Sequence, residues 1–294
     1  MITNIKKIDD QTVTFEVKSV PIPEANALKR IFKTCIPVVA FDPDQIKIHK
    51  NTTSLRDEFL VHRISMLPID NMQITGKVNP GSITFELQVK NDHKDYQLIQ
   101  VLGKDLVPNT KKVYFDPQFL LTEIKPGQEL HLTAHLKLFD EKSRSIQNRN
   151  TLHIFYTYDP KKELPKGRYD FHFTLESFGS YPVNNLITLG KKYFAETFRY
   201  YLENLDNDQV FRIDEKMHTV YITTLTREDV HTIGNLLVQN MLDNHRDLEY
   251  CGYKQTHPTE NICVLKIIPA SESTSAAWLR KHIREALQRI IKMV

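Results

Sequence analysis

Two stretches far apart in this chain open a helix in the same way. Ala25-Asn26-Ala27-Leu28 and Gly234-Asn235-Leu236-Leu237 each run small residue, asparagine, then apolar residues, at an offset of 209 positions. Around each lies one plan of strand, short helix, strand and long terminal helix. A sheet with helices on one face must bury that face, and two such units in one chain can cover one another with a shared apolar helix layer. The expected fold class is therefore α+β, with two dimerisation-type units forming an internal pseudo-dimer. A length of 294 residues leaves room for both and for an insert.

The hydrophobic pattern locates these pieces. Val13, Phe15 and Val17 alternate with Thr14 and Glu16, the period of a half-buried strand. From Glu24 the period changes: Ala25, Leu28, Ile31, Phe32 and Cys35 make one stripe of a helix over 23–35, which Pro23 can open and Pro37 must close. Ile46 and Ile48 suggest a short strand. Ser54, with Asp57 three residues on, is a variant capping box for a helix reaching about Ser65. Between 71 and 166, alternation at Ile83 to Val89 and at Leu130 to Leu138 follows Asn-Pro-Gly and Lys-Pro-Gly turns, the signature of an inserted β-rich module. Tyr169, Phe171, Phe173 and Leu175 resume the first unit, and Pro182 introduces a helix over 183–205 carrying Leu186, Leu189, Tyr193, Phe194, Phe198 and Tyr201. After the short linker Asp206-Asn207-Asp208 come a strand near Val220, a helix over 231–242 with Leu237 and Met241, strands near Tyr250 and Cys263, and a last helix over 273–294. That helix aligns Leu279, Ile283, Leu287, Ile290 and Val294. The expected division is 1–70 with 167–206, an insert over 71–166, and a second unit over 207–294.

Catalytic and cofactor chemistry finds no foothold in the pattern. A net charge of +3 is too balanced for a protein that coats nucleic acid or an anionic membrane. Cys35, Cys251 and Cys263 are odd in number and far apart, which points to core packing and a reducing compartment. No signal peptide or membrane span is expected. Asp42-Pro43-Asp44 reads as a turn, and His131 and His135 fall on a strand, about 13 Å apart at a rise of ~3.3 Å per residue, so one metal cannot bridge them. Asp229, His231 and Thr232 lack an oxyanion motif and read as capping and packing at a helix start. Gly190-Lys191 lies inside a helical pattern and lacks the upstream glycine of a phosphate loop. Arg280, Lys281, Arg284, Arg289 and Lys292 surround an apolar stripe without interleaved aromatics, which favours a solvated face over DNA contact. No catalytic, cofactor or metal residue is expected.

Five stretches then resemble the α-like subunits of multisubunit RNA polymerases. ANALKRIFKTCIPVVAFD (25–42), NTTSLRDEFLVHRISMLPI (51–69) and YDFHFTLESFGSYP (169–182) are similar to the third-largest subunit of eukaryotic polymerase II, its archaeal D counterpart and the bacterial α N-terminal domain. EDVHTIGNLLVQNML (228–242) and CGYKQTHPTENICVLKI (251–267) resemble the eleventh subunit and archaeal L. Two subunits fused in one chain imply a divergent enzyme, that of a large DNA virus, located in the host cytoplasm and virion, or otherwise in the nucleus. The resemblance implies a non-catalytic assembly platform of two α-subunit-type units. Its partners would be the largest and second-largest polymerase subunits and small zinc-binding subunits, with little or no nucleic-acid contact and no membrane. Arg30 matches a basic position at the contact with the second-largest subunit; Asn26, Glu58, His62, Arg63, His231 and Asn235 are further subunit-interface candidates. The internal helix layer would use Leu28, Phe32, Leu189, Tyr193, Leu237, Met241, Ile283, Leu287 and Ile290. The competing reading is a stand-alone nucleic-acid-binding regulator on the same fold. Some relatives hold zinc or an iron–sulfur cluster through cysteines in the insert, but 71–166 contains none.

Overall fold

The computed structural model describes residues 2–72, 74, 78–94, 96–111, 113–139, 151–226, 229–270 and 275–293, with the backbone alone at 151 and 152. Glu228, Ser273 and Val294, each part of a reading above, lie outside the described residues. The chain begins with a hairpin, β1 (Ile2–Lys7) and β2 (Thr12–Pro21), followed by α1 (Ile22–Thr34). Then come β3 (Val38–Phe41), β4 (Lys47–Asn51), α2 (Asp57–Ser65), β5 (Thr84–Lys90), β6 (Ile99–Leu102), β7 (Val107–Pro108), β8 (Leu120–Ile124) and β9 (Glu129–Phe139). The remainder is β10 (Thr151–Thr157), β11 (Arg168–Ser177), α3 (Val183–Glu203), β12 (Phe211–Asp214), β13 (Thr219–Thr223), α4 (Asp229–Asn244), β14 (Leu248–Gln255), β15 (Ile262–Pro269) and α5 (Ala276–Ile291). Among the described residues no helix is long and apolar enough to cross a membrane.

The chain forms two compact units, the first made of 1–36, 153–176 and 183–294, the second of 37–152 and 177–182. In the first, two four-stranded sheets have the orders β1-β2-β11-β10 and β12-β13-β15-β14. The orders are the same: an initial hairpin, then the fourth strand of the set, then the third. Each set has one helix after its hairpin and one after its last strand, so a ββαββα plan occurs twice. In β2, Val13, Phe15 and Val17 are buried and Thr14 and Glu16 half-buried, as the period of two requires. Across the pair with β11, Phe15 faces Phe173, and their rings stack at 4.9 Å.

The helices supply the other half of this core. α1 packs on α3 and α4, and α5 on α3 and α4. Leu28, Phe32, Phe194, Phe198, Leu237, Met241, Ile283, Leu287 and Ile290 are all buried in it, at about 1.5–3 kcal/mol for each large apolar side chain. Leu189 and Tyr193, expected in the same layer, are only half-buried. Close approach depends on one glycine of α3: a Cβ on Gly190 would stand 2.3 Å from the Phe32 ring, so the helices could not meet as they do with any larger residue there.

The second unit is built on β9. Antiparallel neighbours give the order β3-β9-β5-β7, with β4 also pairing β9 and a separate β6–β8 ribbon. Phe41, Leu60, Ile64, Phe85, Leu87, Leu130, Leu132, Ala134 and Leu136 fill its core. Residues 37–70, assigned from the sequence to the first unit, share sheet and core here with the β-rich segment. The division thus falls after Ile36, not at residue 70, because β3 and β4 find their hydrogen-bond partner in β9. Asn71, fully buried, ties this region together: its side chain accepts from Val39 N at 2.5 Å and donates to Val39 O and Ile69 O.

One local reading needs correction. α2 starts at Asp57 with Arg56 at its N-cap and no side-chain cap, so Ser54 does not open it; Asn51 Nδ2 instead donates to Asp57 and to Leu55 O. His131 and His135 are on β9 as expected, half-buried on the face opposite the buried Leu130, Leu132, Ala134 and Leu136, and His131 sits 3.2 Å from Glu86 across the ladder. β3 went unread because Val38-Val39-Ala40-Phe41 is continuously apolar, with no alternation to reveal it. Asp42-Pro43-Asp44 is the expected turn: Asp42 caps a 3₁₀ turn and accepts from Asp44 N and Gln45 Nε2.

Candidate functional site

The seven interface candidates divide between the two units. Asn26, Arg30, His231 and Asn235 belong to the first unit, Glu58, His62 and Arg63 to the second. All are exposed except Asn26, which is half-buried. On α1, the stripe that buries Leu28, Ile31 and Phe32 turns Arg30 outward. Arg30 acts on Tyr253 of β14: burial pushes that phenol up, and the Arg30 charge pulls the other way. The Tyr253 hydroxyl also lies 3.2 Å from His231 Nδ1 on α4. Gly234 makes room for it, since a Cβ there would stand 2.3 Å from the Tyr253 ring. Asn26 Oδ1 accepts from the Tyr156 hydroxyl of β10 at 2.9 Å, and Lys29 Nζ lies over that ring at 5.5 Å. Tyr156 and Tyr253 were missed by sequence reasoning. No local pattern marks them, because each meets its helix through a sheet pairing far away in the chain.

In the second unit Glu58, His62 and Arg63 share the outer face of α2 with Phe59, which is 61% exposed. Arg63 Nη2 donates to Leu120 O at 2.6 Å, fixing that end of the helix against β8. An exposed phenylalanine flanked by two charges and an imidazole is suited to protein contact, where aromatic and arginine side chains contribute most.

Polar groups are also set within the helix layer. Glu24, in the first turn of α1, is buried, and loss of solvent raises its carboxyl to about 7. The Arg168 guanidinium opposes that rise and Asp243, at the end of α4, adds to it; Arg168 itself lies 3.7 Å from Asp243. The basic face of α5 is engaged inside the chain. Arg280 reaches Leu205 O, Asp206 at 3.5 Å and Asp208 at 3.0 Å; Arg284 reaches Asp206 at 3.2 Å; Arg289 reaches Glu285 at 3.2 Å. The polar linker is thus a counter-charge for this helix.

Among the described residues no catalytic constellation assembles around Asp229, His231 and Thr232. Asp229 accepts from the amide and hydroxyl of Thr226, closing the start of α4, while Thr232 is buried with no hydrogen-bond partner for its hydroxyl among the described residues. The N-terminal bonds of α4 are therefore made by Asp229 and Thr226, not by His231 and Thr232. Cys35, Cys251 and Cys263 are buried, and burial alone lifts the Cys251 and Cys263 thiols to about 12, away from nucleophilic use.

Residues 221–294 match the RNA polymerase Rpb3/Rpb11 dimerisation domain. The chain is 24% identical over 311 residues to the DNA-directed RNA polymerase RPB3-11 homolog of African swine fever virus, covering 94% of this chain and 84% of that protein. It is 23% identical over 265 residues to DNA-directed RNA polymerase II subunit RPB3 of Schizosaccharomyces pombe, covering 70% and 87%. To subunit Rpo3 of Methanobrevibacter smithii it is 25% identical over 163 residues, covering 52% and 57%.

Proposed function

We infer that this chain is an RNA polymerase subunit of the Rpb3/Rpb11 type, whose work is assembly. The observation that carries the reading is the repeated ββαββα plan with one strand order in both sheets and a common helix layer, within a chain similar over 94% of its length to a viral RPB3-11 homolog. The two copies act as an internal pseudo-dimer, taking the place of two separate subunits, and the β-rich segment is inserted into the first copy. The subunit is non-catalytic, a reading supported by buried thiols and by the capping use of Asp229. The absorption of the α5 arginines by Asp206, Asp208 and Glu285 supports protein contact over nucleic-acid contact.

Assembly then works by shape and charge. The exposed groups of α1 and α4, among them Arg30, His231 and Asn235, and the Glu58, Phe59, His62 and Arg63 face of α2 would receive the two large catalytic subunits. Small zinc-binding subunits would complete the set. By likeness to the viral relative, the complex would work in the cytoplasm of an infected cell and be carried in the virion. Affinity purification of the full chain from its source under mild salt, followed by mass spectrometry, tests this. Recovery with two large polymerase subunits is expected; a free protein that shifts DNA would replace this reading with that of a nucleic-acid-binding regulator.

A further inference from the structure

One side-chain cluster is used by none of the above. His245 and Asp247 lie in the turn between α4 and β14, and His282 lies on α5. Asp247 Oδ2 is 3.0 Å from His282 Nε2, and Asp247 Oδ1 is 3.9 Å from His245 Nδ1. One ligand atom from each residue lies within 4.8 Å of the others. Tetrahedral zinc, with ligands at ~2.0–2.2 Å, holds neighbouring donors ~3.3–3.5 Å apart, so small rotations bring all three onto one ion.

The surroundings are those of a metal-binding imidazole pair. The other ring nitrogen of His282, Nδ1, is 2.9 Å from Trp278 O, a backbone carbonyl that fixes the ring with Nε2 directed at Asp247. The Trp278 ring lies against the imidazole at 3.8 Å between centroids. Behind His245, Glu285 Oε2 stands 3.8 Å from Nε2, so a carboxylate is in reach to orient the second imidazole. Both imidazoles are nearly buried, while the Asp247 side chain is 54% exposed and gives an ion a way in. Arg289 Nη1, 3.0 Å from His245 Nε2, holds the place that Glu285 would take, and its guanidinium, already 3.2 Å from Glu285, has only to shift toward that carboxylate.

We propose that His245 Nδ1, Asp247 and His282 Nε2 form a binding site for one divalent transition-metal ion, zinc by its donor set of two imidazoles and a carboxylate, with water as fourth ligand. The ion would pin the turn after α4 to α5, closing the second ββαββα copy on itself. The site is independent of the polymerase reading.

Titration of the chelator-stripped full chain with zinc chloride, followed by calorimetry, tests the proposal, with cobalt(II) as a spectroscopic stand-in. Expected are one saturable ion per chain, a tetrahedral cobalt spectrum, and at least tenfold weaker binding in Asp247→Asn and His245→Gln. Arg289→Met removes the competing cation and should tighten binding severalfold. Because Asp247 is half exposed, Asp247→Asn should fold as the parent does, which a circular dichroism melt verifies. No saturable uptake by the parent, or parental affinity in both Asp247→Asn and His245→Gln, would overturn the site.

Discussion

Glu24→Gln isolates a carboxyl that folding places in the helix layer against its preference. Glu24 is raised from 4.5 to about 7, first by loss of solvent and then by Asp243, with Arg168 opposing. A carboxyl raised in the folded state binds more protons there than in the unfolded chain between those two values, so stability falls as pH rises through that window. The full difference of 2.5 pH units amounts to about 3 kcal/mol at 1.36 kcal/mol per unit. Below pH 4.5 both states are protonated and this penalty is absent; above pH 7 it is complete. Glutamine has nearly the same shape and no charge to desolvate. Urea unfolding of parent and Glu24→Gln should therefore give similar stabilities at pH 4.5 and a gap of about 3 kcal/mol in favour of the variant at pH 8. Parallel profiles across this range would refute the reasoning and show that Arg168 neutralises Glu24 as fully as water does.

Other substitutions probe the rest of the molecule. Leu287→Asp, at a fully buried position of α5, should cost several kcal/mol, the lost burial of ~1.5–3 kcal/mol plus a desolvated carboxylate; a melt within a degree or two of the parent would mean this face is not core. Gly190→Ala sets a Cβ against the Phe32 ring and should lose ~1–3 kcal/mol despite alanine's better helix propensity, so a variant that resists more urea than the parent would contradict the packing described. Arg30→Glu, at an exposed position, should leave the melting temperature within a few degrees and abolish recovery of the second-largest subunit; complete polymerase at parental yield would remove Arg30 from the contact. Residues 1–206 expressed alone should aggregate or self-associate, since α1 and α3 then expose the faces that α4 and α5 cover, and co-expressed 207–294 should restore solubility, whereas a soluble monomeric fragment would argue against the pseudo-dimer.

What could be read along the chain was what local periodicity encodes. The stripe Ala25, Leu28, Ile31, Phe32 set α1 to within a residue at either end, and Ile283, Leu287, Ile290 marked the buried face of α5, because a helix repeats every 3.6 residues whatever it packs against. The matching starts at Asn26 and Asn235 point to a repeated plan of elements, and a ββαββα plan does occur twice. Pairing between distant strands leaves no such trace. That β3 and β4 join β9, drawing residues 37–70 into the second unit, depends on which strand edge is available after folding. So does the meeting of Tyr253 with Gly234 and His231. The α5 arginines read as a solvated face, but their pairing with Asp206 and Asp208 leaves no local trace because those residues lie more than 70 residues earlier in sequence. His245, Asp247 and His282 were invisible as a cluster for the same reason: 35 residues separate Asp247 from His282, and only the return of α5 beside the turn after α4 brings their ligand atoms together.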